Sequence, residues 1–153
     1  MRNVIIFLSI LCFISACKDE NGQQFTRILD NTTDKEIEVM VYSSGALTEE
    51  FVIKPQSSDT TIAVCDYSRG TLRNCPLVWF LENDSVKLVF NKVEELKYCK
   101  SESICPRVNG KNIMRFSVFP ISGEFNGGFK EVSENVFVFT IEESDYELAE
   151  PIE

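Results

Sequence analysis

From Phe25 onward the apolar residues of this chain recur at every second position rather than at helical spacing, as in strands that bury one face. Glu36-Ile37-Glu38-Val39-Met40-Val41-Tyr42 alternates polar and apolar at its start and is rich in strand formers. Residues 51–54 (Phe-Val-Ile-Lys) follow, stopped by Pro55 and the turn residues Gln56-Ser57-Ser58-Asp59. Residues 60–65 make the next strand. Residues 77–81 (Leu-Val-Trp-Phe-Leu) then run into the turn Glu82-Asn83-Asp84, and residues 85–90 come after it. Residues 96–99, 113–119 and 135–141 complete the set, with a Gly-rich turn at Asn126-Gly127-Gly128 before the last. The runs 77–81 and 135–141 are apolar on both faces, so both are expected as central strands.

A single helix is predicted near the end, where Ser144 and Glu147 fit a capping box and Pro151 stops the run. Short strands at regular spacing, with turn residues between them, predict an all-β fold. We expect one β-sandwich, immunoglobulin-like or similar, of about seven to nine strands with a short C-terminal helix; a small β-barrel is the alternative. The domain is expected over residues 25–153, preceded by a polar tether at 17–24.

The first 16 residues have a different character. Arg2 precedes an apolar run, residues 4–14, that ends in Ile14-Ser15-Ala16-Cys17. The run is well short of the roughly 20 residues a membrane-spanning helix needs. An ordinary secretory signal would place a small residue where Ile14 stands. Ile-Ser-Ala-Cys resembles the lipobox of bacterial lipoproteins, in which the chain is cut after Ala16 and Cys17 carries the lipid. The resemblance implies a membrane partner reached through that anchor. Lys18-Asp19-Glu20 resembles the lipoprotein export signal of Bacteroidota, a lysine followed by two acidic residues. It implies display on the outer face of the outer membrane, with a periplasm-facing domain as the alternative.

Further on, three pieces resemble small uncharacterised lipoproteins of Bacteroidota: Asp30-Asn31-Thr32-Thr33, residues 83–90, and residues 139–147. That group brings no activity with it. Asp59-Thr60-Thr61 and Asp84-Ser85-Val86 resemble the O-glycosylation acceptor of the same bacteria, which makes Thr60 and Ser85 candidate modification sites.

Removing 16 of the 153 residues leaves 137, enough for one domain with a real core. Only Arg2 is charged in the removed part, so 14 basic and 24 acidic residues remain, a net charge near −10. Nucleic acid is an unsuitable partner for such a surface. Of six cysteines, Cys12 leaves with the signal and Cys17 takes the lipid. Cys65, Cys75, Cys99 and Cys105 remain, an even number for an oxidising compartment. The sequence-local pairing, Cys65–Cys75 with Cys99–Cys105, is preferred over the other two because each bridge would clip a loop between predicted strands. A four-cysteine zinc site lacks the close Cys pairs it ordinarily uses.

Chemistry is sparse. The chain has no histidine, and Ser-x-x-Lys, G-x-S-x-G and P-loop patterns are absent from the mature part. The adjacent pairs Glu49-Glu50, Glu94-Glu95 and Glu142-Glu143 point to opposite faces on a strand and cannot flank one bond. Asn83, Asp84 and Asp59 or Asp66 are oxygen ligands of the kind calcium takes, but they are also ordinary turn material. No metal, cofactor or catalytic residue is assigned. The aromatics Trp79, Phe125 and Phe129 are the candidate binding surface, the latter two bracketing the Gly-rich turn. The expected function is non-catalytic binding of a protein or glycan. The alternatives are glycan capture around Trp79, or inhibition of a toxin or protease.

Overall fold

The computed structural model describes residues 22–68, 71–75, 77–79, 82–101, 103–105, 108–116 and 127–152. Residues 1–16, expected as a signal, and Cys17, Lys18, Asp19, Glu20 and Phe125 lie outside them. Two sheets face each other. The first has the order β5-β4-β1-β9-β8, built from β1 (Gln23–Asn31), β4 (Ser57–Ser68), β5 (Thr71–Asn74), β8 (Lys130–Ser133) and β9 (Val136–Ile141). The second has the order β10-β7-β6-β2-β3, from β2 (Ile37–Ser43), β3 (Ala46–Ile53), β6 (Ser85–Phe90), β7 (Glu94–Cys99) and β10 (Glu150–Pro151). Among the described residues neither sheet closes on itself, so the fold is a β-sandwich and not the alternative barrel. Three of the ten strands are short pieces at sheet edges, of four, four and two residues, which is why they left no alternating pattern.

Alternation sets the inner faces. Phe25, Leu29, Ile37, Val39, Val41, Val86, Leu88, Phe90, Phe137, Phe139 and Ile141 are all buried between the sheets. Phe116, Phe129, Phe137 and Phe139 form a chain of aromatic contacts, with centroids from 4.7 Å (Phe116–Phe129) to 5.2 Å (Phe116–Phe137). β1 pairs antiparallel with β4 and parallel with β9. Gln23 and Gln24 already belong to β1, so the polar tether is shorter than expected: these residues gain a ladder partner in β4, Gln23 opposite Cys65 and Gln24 opposite Val64.

Two expected strands take another form. Leu77, Val78 and Trp79 are all buried, but they lie in the crossover between β5 and β6. Val78 N–H donates to the Cys75 carbonyl and Asn83 N–H to the Trp79 carbonyl, both at 2.9 Å, so the segment coils instead of extending. It is apolar on all sides because it sits between the sheets, and a short apolar run does not distinguish that from a central strand. Ile113–Arg115 is a 3-10 turn, its first N–H groups met by Asn112, whose side chain accepts from Met114 N–H at 3.0 Å. Residues 117–119 of that expected strand, and residues 80–81 of the other, fall outside the described part.

The helix α1 (Glu143–Tyr146) starts slightly earlier than the Ser144–Glu147 box suggests. Asp145 takes the role foreseen for Glu147, its carboxylate accepting Glu142 N–H at 2.9 Å. Pro151 does not stop the helix but sits in β10, opposite Glu94. Both sequence-local disulfides are present, Cys65–Cys75 and Cys99–Cys105.

Candidate binding surface

The outer face of the second sheet is built by the same alternation that fills the core. On β2, Ile37, Val39 and Val41 turn inward, so Glu38, Met40 and Tyr42 turn outward. Register then sets their neighbours: Met40 stands opposite Lys87 on β6, and Lys87 opposite Lys97 on β7. Glu38 is opposite Val89, which is opposite Glu95. The result is an open concavity of about 390 Å³ with Met40, Tyr42 and Val89 as apolar lining and Glu38, Lys87, Lys92 and Glu95 as charged lining. A second hollow of about 300 Å³ continues past Lys87 and Glu95 to Glu150 and Ile152 beside β10.

Charge in this groove is paired in two ways. Lys87 Nζ meets Glu95 Oε2 at 2.8 Å, an ion pair on neighbouring strands. Glu38 instead meets another carboxyl: a hydrogen bond with Glu50, reinforced by desolvation and by the Glu50 charge, raises the Glu38 pKa, and Lys92 only partly opposes this. Two acids held together in this way favour one shared proton or a nearby cation. The Tyr42 hydroxyl donates to the Met40 sulfur at 3.6 Å, tying the two lining side chains together. Acceptors, ammonium groups and an apolar base suit a polar ligand of mixed charge. Among the described residues, the groove lining includes no serine, cysteine or histidine nucleophile.

Two other polar clusters are closed. Arg27, on the inner face of β1, is 1% exposed and stacks its guanidinium 3.8 Å from the Trp79 ring centroid. It donates to the Leu77 carbonyl at 3.2 Å and to Thr61 Oγ1 at 3.3 Å, while Trp79 Nε1 donates to Glu49 Oε2 at 2.8 Å. Burial pushes the Arg27 pKa down to about 10, opposed by the charges of Glu49 and Asp59, so it remains a cation at physiological pH. At the opposite end, buried Asp145 accepts from Lys111 Nζ at 3.0 Å and from Asn109 Nδ2 at 3.2 Å. Burial alone would lower the Lys111 pKa, but hydrogen bonds to Glu142 and Asp145 raise it overall. Each cluster locks a loop to the sandwich.

These positions correct several expectations. Trp79 is 3% exposed and its ring is covered by Arg27, so it offers no platform to a sugar. Phe129 is likewise buried, against Phe116 and Phe139, and is not a ring on a projecting tip. The Gly-rich turn carries it inward: Gly127 is buried, and its carbonyl accepts Asn112 N–H at 2.9 Å. Ser85 is buried within β6 with its hydroxyl bonded to Asp84, so it is closed to modification as the chain is folded. Thr60 is exposed on β4. Asn83 is engaged by Thr48 and the Trp79 carbonyl, and among the described residues no three His, Cys, Asp or Glu side chains gather as a metal site.

The groove itself was missed. Its signal was present in the outward positions Glu38, Met40 and Tyr42 of β2, but only strand register brings Lys87 and Glu95 beside them. No protein-family model, curated protein or solved structure matches this chain.

Proposed function

We propose that the protein is a lipid-anchored lipoprotein of a bacterial outer membrane, displayed at the cell surface, whose sandwich binds a protein or glycan without transforming it. The observation that carries the binding part is the open groove on the second sheet, with its apolar lining and charged surround. Its openness favours an extended or flat ligand over a small molecule enclosed for chemistry. The anchor part rests on Cys17 and the residues before it, and the two disulfides support export to an oxidising compartment.

Glycan and peptide arrays probed with the mature chain test the binding part. A ligand of the groove is expected to lose about tenfold or more in affinity, equivalent to about 1.4 kcal/mol, on Tyr42→Ala or Lys87→Glu. Circular dichroism checks that both variants keep the strand signal. A ligand indifferent to both substitutions, or one converted to product, contradicts the reading.

A further inference from the structure

The outer face of the first sheet is chemically unlike that of the second. On β1 the outward residues are Gln24, Thr26, Ile28 and Asp30, since Phe25, Arg27, Leu29 and Asn31 turn inward. Register sets Val64 beside Gln24, Ile62 and Val136 beside Thr26, and Thr60 and Val138 beside Ile28. These eight positions of β4, β1 and β9 form a patch without a charged side chain. Ile62 and Val64 are 59% and 61% exposed there, large values for β-branched apolar residues in mid-strand. The second sheet presents Glu38, Glu50, Lys87, Glu95 and Lys97 on its outer face.

The chain enters the domain at this same place. Gly22 lies so close to Val64 that an added Cβ would strike the Val64 side chain and the Cys65 carbonyl. Four residues separate Gly22 from Cys17. Five extended steps span at most about 18 Å, less than the length of a strand such as β1 plus its turns. A lipid held by Cys17 thus keeps the Val64 end of the domain within reach of the bilayer.

We infer that this uncharged patch, centred on Ile62 and Val64, rests on the lipid bilayer and turns the groove of the second sheet away from it. The inference rests on the Cys17 anchor proposed above. The occupant is a lipid surface because the anchor exits beside the patch. Threonine and glutamine side chains between the apolar ones suit the headgroup region.

The full chain, produced with its lipid and reconstituted into phosphatidylcholine vesicles, provides the test. Ile62→Trp and Val64→Trp each add an emitter at the patch, and Val52→Trp adds one on the opposite sheet, where Val52 is exposed. Buried Trp79 contributes a constant background. Bromine on the lipid acyl chains is expected to remove most of the emission added at positions 62 and 64, and none of that added at 52. An acylated, vesicle-bound chain with undiminished emission at both positions overturns the orientation alone. Intact mass of the same sample separates the remaining outcomes: a chain without acyl groups overturns the anchor and the orientation together. A glycan on Thr60, which would stand in the patch, overturns the orientation.

Discussion

Arg27 fills the space between β1 and the crossover that carries Trp79, and it does so as a buried cation. Arg27→Ala is expected to lower stability by about 3 kcal/mol, through lost packing of its stem and an opened face on Trp79. Urea unfolding measures the loss, and Trp79 emission should shift to the red as water reaches the ring. Arg27→Met keeps most of the volume and removes the buried charge with its desolvation, so it should cost clearly less than alanine. Equal losses for the two variants would show that the charge, not the filling, matters. The Glu38–Glu50 pair makes a pH prediction with a definite sign. The folded pKa of Glu38 lies above its ordinary value, so the native chain holds the proton more tightly than the unfolded chain. The pair therefore favours folding while protonated, and that contribution is lost as pH rises through the folded pKa. Glu50→Gln removes the repulsion, so its melting temperature should exceed that of the natural chain at pH 7, with the gap closing toward about pH 4.

At the scale of elements, one disulfide closes the β4–β5 hairpin and the other ties down the chain leaving β7. Cys65–Cys75 spans ten positions and fixes the start of the segment that places Trp79. Cys99–Cys105 spans six and secures the exit from β7. Closing loops of this size is worth about 2–3 kcal/mol each in the chain-entropy picture. Replacing Cys65 and Cys75 together by alanine should lower the unfolding free energy by about that amount, read by urea titration of the oxidised proteins. An unchanged midpoint would mean that the crossover is held by the Arg27 cluster alone. β2 was legible because it buries one face and shows it by alternation, and β9 because it is apolar on both sides over a strand's length between turn residues. The sequence-local cysteine pairing was legible for a related reason, since each bridge spans a short connection. Leu77-Val78-Trp79 was not: three consecutive buried residues fit a central strand and a plug between sheets equally well, and tertiary packing alone decides. Ser85 and Phe129 were misplaced because a turn residue and a ring beside glycine look exposed until register buries them.

The whole molecule is two-faced. One outer sheet face carries an uncharged patch near where the chain enters, and the other carries carboxylates and ammonium groups around a shallow groove. In the proposed mature chain, a net charge near −10 repels other acidic surfaces. The proposed anchor and export signal give these faces their meaning, since an outward groove serves a displayed binder. Protease shaving of intact cells tests that display most directly, comparing the natural chain with one whose Lys18, Asp19 and Glu20 are replaced by neutral residues. The account predicts that the natural protein is digested on unbroken cells and that the variant survives until the envelope is opened. Survival of both until the envelope is opened would contradict surface display and place the groove before periplasmic partners instead.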